Sequence, residues 1–294
     1  MRVNGEPRHL RIHLRQHSKR GRPGLTPSLV RSSARPSTVS HSIESAAIDS
    51  GGAQRLTRML AHTGHFLFRY RNAMFPLACL PLLIPGAQPL EDSFLAALLG
   101  AAIALMGQAV RALTIGLRYV IRGGRGRRVY AEDLVTDGIY SHLRNPMYLG
   151  NLLIVVGVAT AANSWPTLLL GVPLALFMYS CIIVAEEQYL LGRFGAAFEA
   201  YCADVPRWIP RLSGLADTLR SSRFHWRRLL VKEYGTPFGW INIVAAVTLL
   251  NFWVDGEWLA RGAEISTLTW AVAITAVFWF VAWRLKKSRT ILPD

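Results

Sequence analysis

The sequence predicts an all-α protein, a polytopic bundle of about six transmembrane helices with both chain ends in the cytoplasm. Two observations carry that expectation. First, the 51% of its 294 residues that are hydrophobic are gathered into blocks almost free of charge. Pro166 to Ala185 reads PTLLLGVPLALFMYSCIIVA, twenty residues without a charge. As a helix it would be about 30 Å long, the thickness of a bilayer core. A soluble chain of this size has room to surround one or two helices that are apolar on every side, and here there are several. Second, of the 33 Lys and Arg, all but Arg261 fall before the first block, between 111 and 144, between 193 and 232, or after the last block. Six spans put each of those segments on the cytoplasmic side, as the positive-inside rule requires.

The elements follow in order. Residues 1–55 are rich in Arg, Ser, Pro and Gly and poor in large apolar side chains. They bury too little to fold alone and are expected to be disordered. Their composition fits an organelle transit peptide, a basic tail on anionic lipid, and sequence upstream of a start at Met59; all three stay open. Segment 56–133 holds the N-terminal transmembrane helices and a basic loop. Its block one, Ala73 to Ile84, is short and contains Pro76 and Pro81, so its helix is expected to begin near Gly64. Block two runs from Phe94 to about Leu113. The loop between them carries Glu91 and Asp92 and no basic residue. The loop GGRGRRVYAED, Gly123 to Asp133, reads as a positive-inside anchor, and its charge would also attract an acidic lipid headgroup.

Segment 134–210 holds block three, Pro146 to Ala162, and block four, Pro166 to Ala185. Only Asn163, Ser164 and Trp165 separate them, which predicts a tight helical hairpin. Segment 211–294 includes the basic, aromatic stretch RFHWRRLLVKEYGTPFG, Arg223 to Gly239, which either shapes an entrance or lies on the membrane. Block five, Phe238 to Val254, and block six, Leu268 to Trp283, complete the count. Arg261, the exceptional cation, has Asp255, Glu257 and Glu264 nearby. Cys79, Cys181 and Cys202 have no CxxC spacing, so neither a disulfide framework nor a metal site is expected. The net charge of +15 is mostly juxtamembrane and comes with no nucleic-acid-binding module, so no nucleic-acid partner is expected.

Three polar segments would face the cytoplasm: Arg122 to Arg144, Glu186 to Pro210, and Arg211 to Gly235. The first ends in HLRNPMYLG. Asn145-Pro146 is a good helix start, an Asn cap followed by Pro in the first turn. Span four ends in Glu186-Glu187, although a helix C-terminus disfavours negative charge. The helix is therefore expected to continue through Gln188-Tyr189-Leu190-Leu191, with a partner for at least one acid. A hairpin begins and ends on the same face, so Arg144 lies near Glu186 or Glu187. Beyond them Leu190, Phe194, Phe198 and Tyr201 recur at helical spacing, an amphipathic stripe suited to the membrane surface. Val205-Pro206-Arg207-Trp208-Ile209-Pro210 ends it.

LVTDGIYSHLRNPMYLG followed by EEQYLLGRFGAAFEAYCADVPRWIP resembles the integral-membrane methyltransferases that use S-adenosylmethionine. They include isoprenylcysteine carboxyl methyltransferases and phospholipid methyltransferases. The resemblance covers about Leu134 to Pro210. It implies an S-adenosylmethionine-dependent enzyme with a cofactor pocket at the cytoplasmic face. Tyr140, Arg144, Pro146, Tyr148 and Gly150 would form one wall, with His142 and Asn145 beside them, and Glu186 and Glu187 the other. Arg144, Glu187 and Arg207 are the candidate catalytic residues. Two departures bear on the acceptor. Asn145 stands where the family has His, and Asn cannot titrate near neutral pH. Phe198 stands where a Tyr is usual. The loss of the His favours an acceptor that is already anionic, a carboxylate or thiol on a lipidic or small apolar molecule, because an ammonium must first lose a proton. That acceptor would enter from the bilayer. Phospholipid N-methylation, and a non-catalytic membrane protein that keeps the fold, are the rival readings.

Overall fold

A computed structural model describes residues 52, 54–70, 79–84, 86–118, 129 and 131–288, all within the unit Ser50–Asp294. The expected disorder of 1–55 falls almost wholly outside these residues, as do the first half of block one and most of the basic loop. All regular structure among the described residues is helical. Helix α1 covers residues 54–70, and α2 Ser93–Leu117. Helix α3 is Pro146–Ala161, and α4 is Val172–Phe194. Short helices α5 Ala196–Asp204, α6 Leu215–Ser221 and α7 Trp226–Glu233 lead to α8 Gly235–Val254 and α9 Gly262–Lys287. Four stretches are long and apolar enough to cross a membrane: α2, residues Thr167–Phe194 including α4, α8 and α9. Helix α3 is apolar but shorter, 16 residues, or about 24 Å.

Helix α1 corrects the expected start near Gly64, because the chain is already helical from 54. Gly64 lies inside it, where any Cβ would collide with the main-chain oxygen of Cys181 on α4. Helices α2 and α3 pack the same way. A Cβ at Gly100 would sit 2.3 Å from the Gly157 oxygen, and one at Gly107 would sit 2.5 Å from the Gly150 oxygen. The two backbones touch, as small residues allow in a lipid environment where apolar side chains gain little from leaving their neighbours.

The α3–α4 turn is tight, as expected. Asn163 takes φ 50°, a left-handed conformation that Asn tolerates better than most residues. Its amide donates to the Leu90 oxygen at 2.8 Å and accepts from the Leu90 nitrogen at 3.0 Å, which ties the turn to the start of α2. Beyond it the chain makes a π-helical turn over Thr167–Gly171. Pro173 has no N–H for the carbonyl four residues back, so the ladder widens there. Arg261 pairs with Glu257 at 2.8 Å, Glu264 at 3.3 Å and Asp92 at 3.5 Å, so the one cation outside the basic segments is matched by acids.

Candidate active site

Helix α4 runs on past Glu186-Glu187 to Phe194, and Gly195 at φ 51° then turns the chain into α5. A side chain at that φ would be strained, so the amphipathic stripe is broken there and is not one surface helix. Leu190, Phe198 and Tyr201 line a pocket instead, with Phe198 only 4% exposed. The Tyr201 hydroxyl donates to the Tyr140 oxygen at 2.8 Å, which holds α5 against the 3-10 turn Gly138–Ser141.

Two main-chain bonds bring the motifs together. The Arg144 nitrogen donates to the Pro206 oxygen at 2.9 Å, and the Arg211 nitrogen donates to the His142 oxygen at 2.9 Å. The VPRWIP segment therefore runs beside HLRNP, and Arg207 arrives within reach of Glu187. Glu187 serves two arginines. Arg144 Nη1 lies 3.2 Å from its Oε1, and Arg207 Nε donates to Oε1 at 3.2 Å while Arg207 Nη2 bonds Oε2. Asn145 Nδ2 donates to the same carboxylate at 3.4 Å. Asn145 precedes α3 but makes no side-chain cap, because its amide is turned to Glu187. Glu186 accepts from the Tyr148 hydroxyl at 2.6 Å.

The pocket is bounded by Tyr140, Arg144 and Asn145 on one side and by Glu186 and Glu187 on the other. Phe68 of α1 and the irregular stretch 131–135 close it, and Arg193 donates to the Glu132 oxygen at 3.4 Å across that wall. Its cavity is about 90 Å³, well under the several hundred Å³ of a ligand site. Arg144 also donates to the Cys202 sulfur at 3.0 Å. Burial pushes that thiol up and the Arg144 charge opposes the push, leaving it raised, so at neutral pH the sulfur stays protonated and brings no counter-charge. Arg144 Nε is buried without a partner among the described residues. An orphaned buried donor costs about 1–3 kcal/mol and marks a place where a ligand atom would be welcome.

Four of the residues predicted for the cofactor wall sit elsewhere. His142 is buried, with Nδ1 2.8 Å from the Arg211 oxygen and Nε2 2.8 Å from Thr218 Oγ1, so it pins the start of the C-terminal segment. Pro146 is fully buried in the first turn of α3, and Gly150 is spent on the contact with Gly107. Tyr148 does not line the pocket; it hydrogen-bonds Glu186 and packs against the cluster that holds Phe68. The pattern gave no sign of Phe68, or of Ala131 and Asp133 in the wall that leads into the quoted motif.

A family model described as phospholipid methyltransferase matches residues 95–197. The Protein-S-isoprenylcysteine O-methyltransferase of Schizosaccharomyces pombe is 36% identical over 77 residues, 26% of this chain and 33% of that enzyme. The Nickel-cobalt-cadmium resistance protein NccN of Alcaligenes xylosoxydans xylosoxydans is 30% identical over 151 residues, 50% of this chain and 68% of that protein. This chain belongs to the isoprenylcysteine and phospholipid methyltransferase superfamily. A further relative is the Cobalt-zinc-cadmium resistance protein CzcN of Cupriavidus metallidurans, 34% identical over 117 residues, 40% of this chain and 48% of that one. The chain thus spans about a third of the length of the yeast methyltransferase and about half of CzcN. No solved structure matches. The methyltransferase match to 95–197 takes in Arg144, Glu186 and Glu187 and stops short of Arg207. Among the described residues, no group of three or more His, Cys, Asp or Glu could hold a metal ion.

Proposed function

We propose that the chain transfers a methyl group from S-adenosylmethionine to a lipidic or small apolar acceptor at a carboxylate or thiol, on the cytoplasmic face of a six-span bundle with both ends inside. The observation that carries the reading is the carboxylate pair in the last third of α4, with Glu187 shared between Arg144 and Arg207 and flanked by Arg144 Nε, which has no partner among the described residues. That donor and acceptor set fits the cofactor. Glu186 and Glu187 would accept from its amino and hydroxyl groups, Arg144 would meet its carboxylate, and Tyr140 and Phe198 would cover its ring. When bound, it supplies a methyl on a positively charged sulfur, which needs alignment and exclusion of water more than activation. A guest of nucleoside size needs more room than the present cavity, so the wall at 131–135 would move outward on binding. The basic segments support the cytoplasmic placement.

The test is calorimetric titration of the detergent-purified protein with S-adenosylhomocysteine. Saturable binding is expected in the wild type. Arg144→Ala and Glu187→Gln are each expected to weaken it about tenfold or more, a loss of about 1.4 kcal/mol or greater. A folded wild type that takes up none of it would end the enzymatic reading and leave a non-catalytic membrane protein. Phospholipid N-methylation draws support from the name of the matching family model, and methylated ethanolamine headgroups in membranes carrying the protein would identify it.

A second reading is favoured by NccN and CzcN, both named for resistance to divalent metals. On it the methyl transfer modifies a membrane component under metal stress. Expression in a metal-sensitive bacterium would then raise tolerance to nickel, cobalt or cadmium, and Glu187→Gln would remove the gain.

A further inference from the structure

Helices α7 and α9 leave an apolar groove between them, about 110 Å³ in volume. That is too little for a whole ligand, whose sites run to several hundred Å³, but it suits a length of hydrocarbon chain. Leu230 and Val231 form its α7 side. Phe278, Val281, Ala282 and Leu285 form its α9 side, at the i, i+3, i+4, i+7 spacing of one helix face. The groove therefore follows α9 for about 10 Å. Phe278 and Val281 are 43% and 47% exposed, so it opens sideways and not into the bundle. Helix α9 is also the least enclosed of the four long apolar helices. Only 6% of its most apolar stretch is buried, against 33% or more in the other three, so lipid is its main neighbour.

One end of the groove is basic. Lys286 lines it, with Nζ 5.1 Å from the centre of the Tyr234 ring, and Lys287 Nζ lies 5.2 Å from that of Trp283. Trp283 stacks on Trp279 at 6.3 Å, and Trp279 on Phe238 at 5.4 Å. Trp and Tyr gather where hydrocarbon meets headgroups, so this ladder marks the depth of the lysines. An ammonium over a ring still has N–H donors for an oxyanion. On α7, Arg227 and Arg228 sit one turn before Leu230 and Val231, on the same side of the helix. Trp226 beside them is 68% exposed. A short helix of this make-up suits the headgroup layer. It is fixed to the end of α2, where the His225 nitrogen donates to the Gly116 oxygen at 2.9 Å and the Phe224 ring lies where a Gly116 Cβ would have to be. Residues 223–232 and 284–288 contain seven Lys and Arg and no Asp or Glu. Among the described residues, Arg227, Arg228, Lys286 and Lys287 form no ion pair. The next acid, Glu233, is 3% exposed and already taken. Arg111 holds it, with Nε to Oε1 at 2.5 Å and Nη2 to Oε2 at 2.7 Å, beside a second cavity of about 490 Å³ among α2, α3, α4 and α8.

We propose that the groove between α7 and α9 is a binding site for one anionic phospholipid of the surrounding leaflet, with an acyl chain along α9 and the phosphate at Lys286 and Arg227. Hydrocarbon is what a bilayer offers to an apolar groove open at its side, and water would find no polar partners there. A zwitterionic headgroup brings no net charge to the cluster of cations, whereas an anionic one supplies the charge that the neighbouring chain lacks. The lipid is a companion of the protein and not its methyl acceptor. The groove shares no lining residue with the pocket at Glu186 and Glu187 or with the larger cavity. The site stands apart from the methyltransferase reading. Bound there, the lipid braces α7 against α9 and keeps Glu233 on Arg111.

The experiment is native mass spectrometry of the detergent-purified full chain, titrated with dioleoylphosphatidylglycerol or dioleoylphosphatidylcholine, with thermal melting followed in the same mixtures. One phosphatidylglycerol is expected to stay on each chain and to raise the melting temperature, and phosphatidylcholine to bind about tenfold more weakly. Arg227→Gln with Lys286→Gln is expected to weaken phosphatidylglycerol about tenfold or more and to remove the melting shift. Arg55→Gln with Arg58→Gln takes the same charge from exposed positions of α1 and is expected to alter neither. Ala282→Phe fills the groove with every charge kept and should lose the lipid as fully. Should it fail to fold, the two charge variants decide. Equal binding of both lipids, or an equal loss in the α1 variant, overturns the proposal. So does a folded Ala282→Phe that keeps its phosphatidylglycerol. A lipid-free dimer that Ala282→Phe breaks overturns it as well and gives the groove to a second copy of the chain.

Discussion

Of the Arg–Glu pairs among the described residues, Arg111–Glu233 and Arg144–Glu187 are built to different ends. Arg111 and Glu233 join α2 to α7 across 122 residues, with side chains 12% and 4% exposed and every charge answered within the pair. Arg144 and Glu187 join the two motifs, but there one carboxylate serves two arginines, Arg207 is 42% exposed, and Arg144 keeps a buried N–H with no partner among the described residues. The first is a closed, neutral unit. The second is left incomplete in a way that a polar ligand would finish. Proximity of opposite charges is thus no guide to function here; the distinction lies in which hydrogen bonds remain unmade.

The sharpest way to break the comparison is to halve the closed pair. Glu233→Ala strands the Arg111 charge in an enclosed site and is expected to cost about 3–5 kcal/mol, because a buried charge without its partner is the expensive case. Unfolding in detergent would read this directly. Replacing both members, Arg111→Met with Glu233→Leu, should restore most of the loss, since a hydrophobic pair of similar volume is often as stable as the ion pair. If the single and double variants were equally damaged, the pair would have a role beyond neutralisation.

At the open pair the effect should appear in binding and hardly in stability. Arg207→Ala removes the more exposed of two cations on Glu187. Unfolding should shift by less than about 1 kcal/mol, as exposed pairs do, while S-adenosylhomocysteine affinity falls about threefold, or about 0.7 kcal/mol. A loss of stability comparable to that of Glu233→Ala would erase the difference between the two sites.

The smallest expected effect calibrates the other two at the opposite end of the bundle. Asp92 caps α2 by accepting from the Phe94 nitrogen at 2.8 Å and the Leu95 nitrogen at 3.3 Å. What burial it has works to raise its carboxyl, but these N–H groups and Arg261 outweigh that and hold it below the usual range. Asp92→Ala is expected to cost about 1 kcal/mol at neutral pH, the ordinary value of an N-cap. The folded-state pKa lies below the unfolded value of about 3.9, so this stabilisation is complete above that value and fades as pH falls through the folded one. Melting temperatures of wild type and variant should therefore converge as the pH falls below about 3.9.

The candidate site was legible because its parts are local. A hairpin with a three-residue turn returns the chain to the face where it began, and that topology alone puts Glu187 beside Arg144. The closed pair was not legible. Arg111 ends an apolar block and reads as an ordinary cytoplasmic cation, and nothing in the pattern couples it to an acid so far along the chain. Asn145 was misread for a related reason. An Asn before Pro suits a cap, but a carboxylate across the pocket claimed its amide instead. Gly195 stood in the stripe in plain view, and a Gly between two apolar turns is a possible break. One signal was present and unused: Gly100 and Gly107 on one helix, and Gly150 and Gly157 on another, share a seven-residue spacing.

That shared spacing has a mechanical consequence. Helices α2 and α3 meet main chain to main chain, so the seam between them has no rotamers to shuffle and cannot give by small side-chain adjustments. It acts as a stiff keel. Any breathing that admits a guest to either chamber has to come from the far wall, where the π-turn at Thr167–Gly171 and Pro173 leave α4 with fewer intact rungs. Amide exchange should follow that division, slowest along Gly100–Gly107 and Gly150–Gly157 and fastest in the turn that precedes α4.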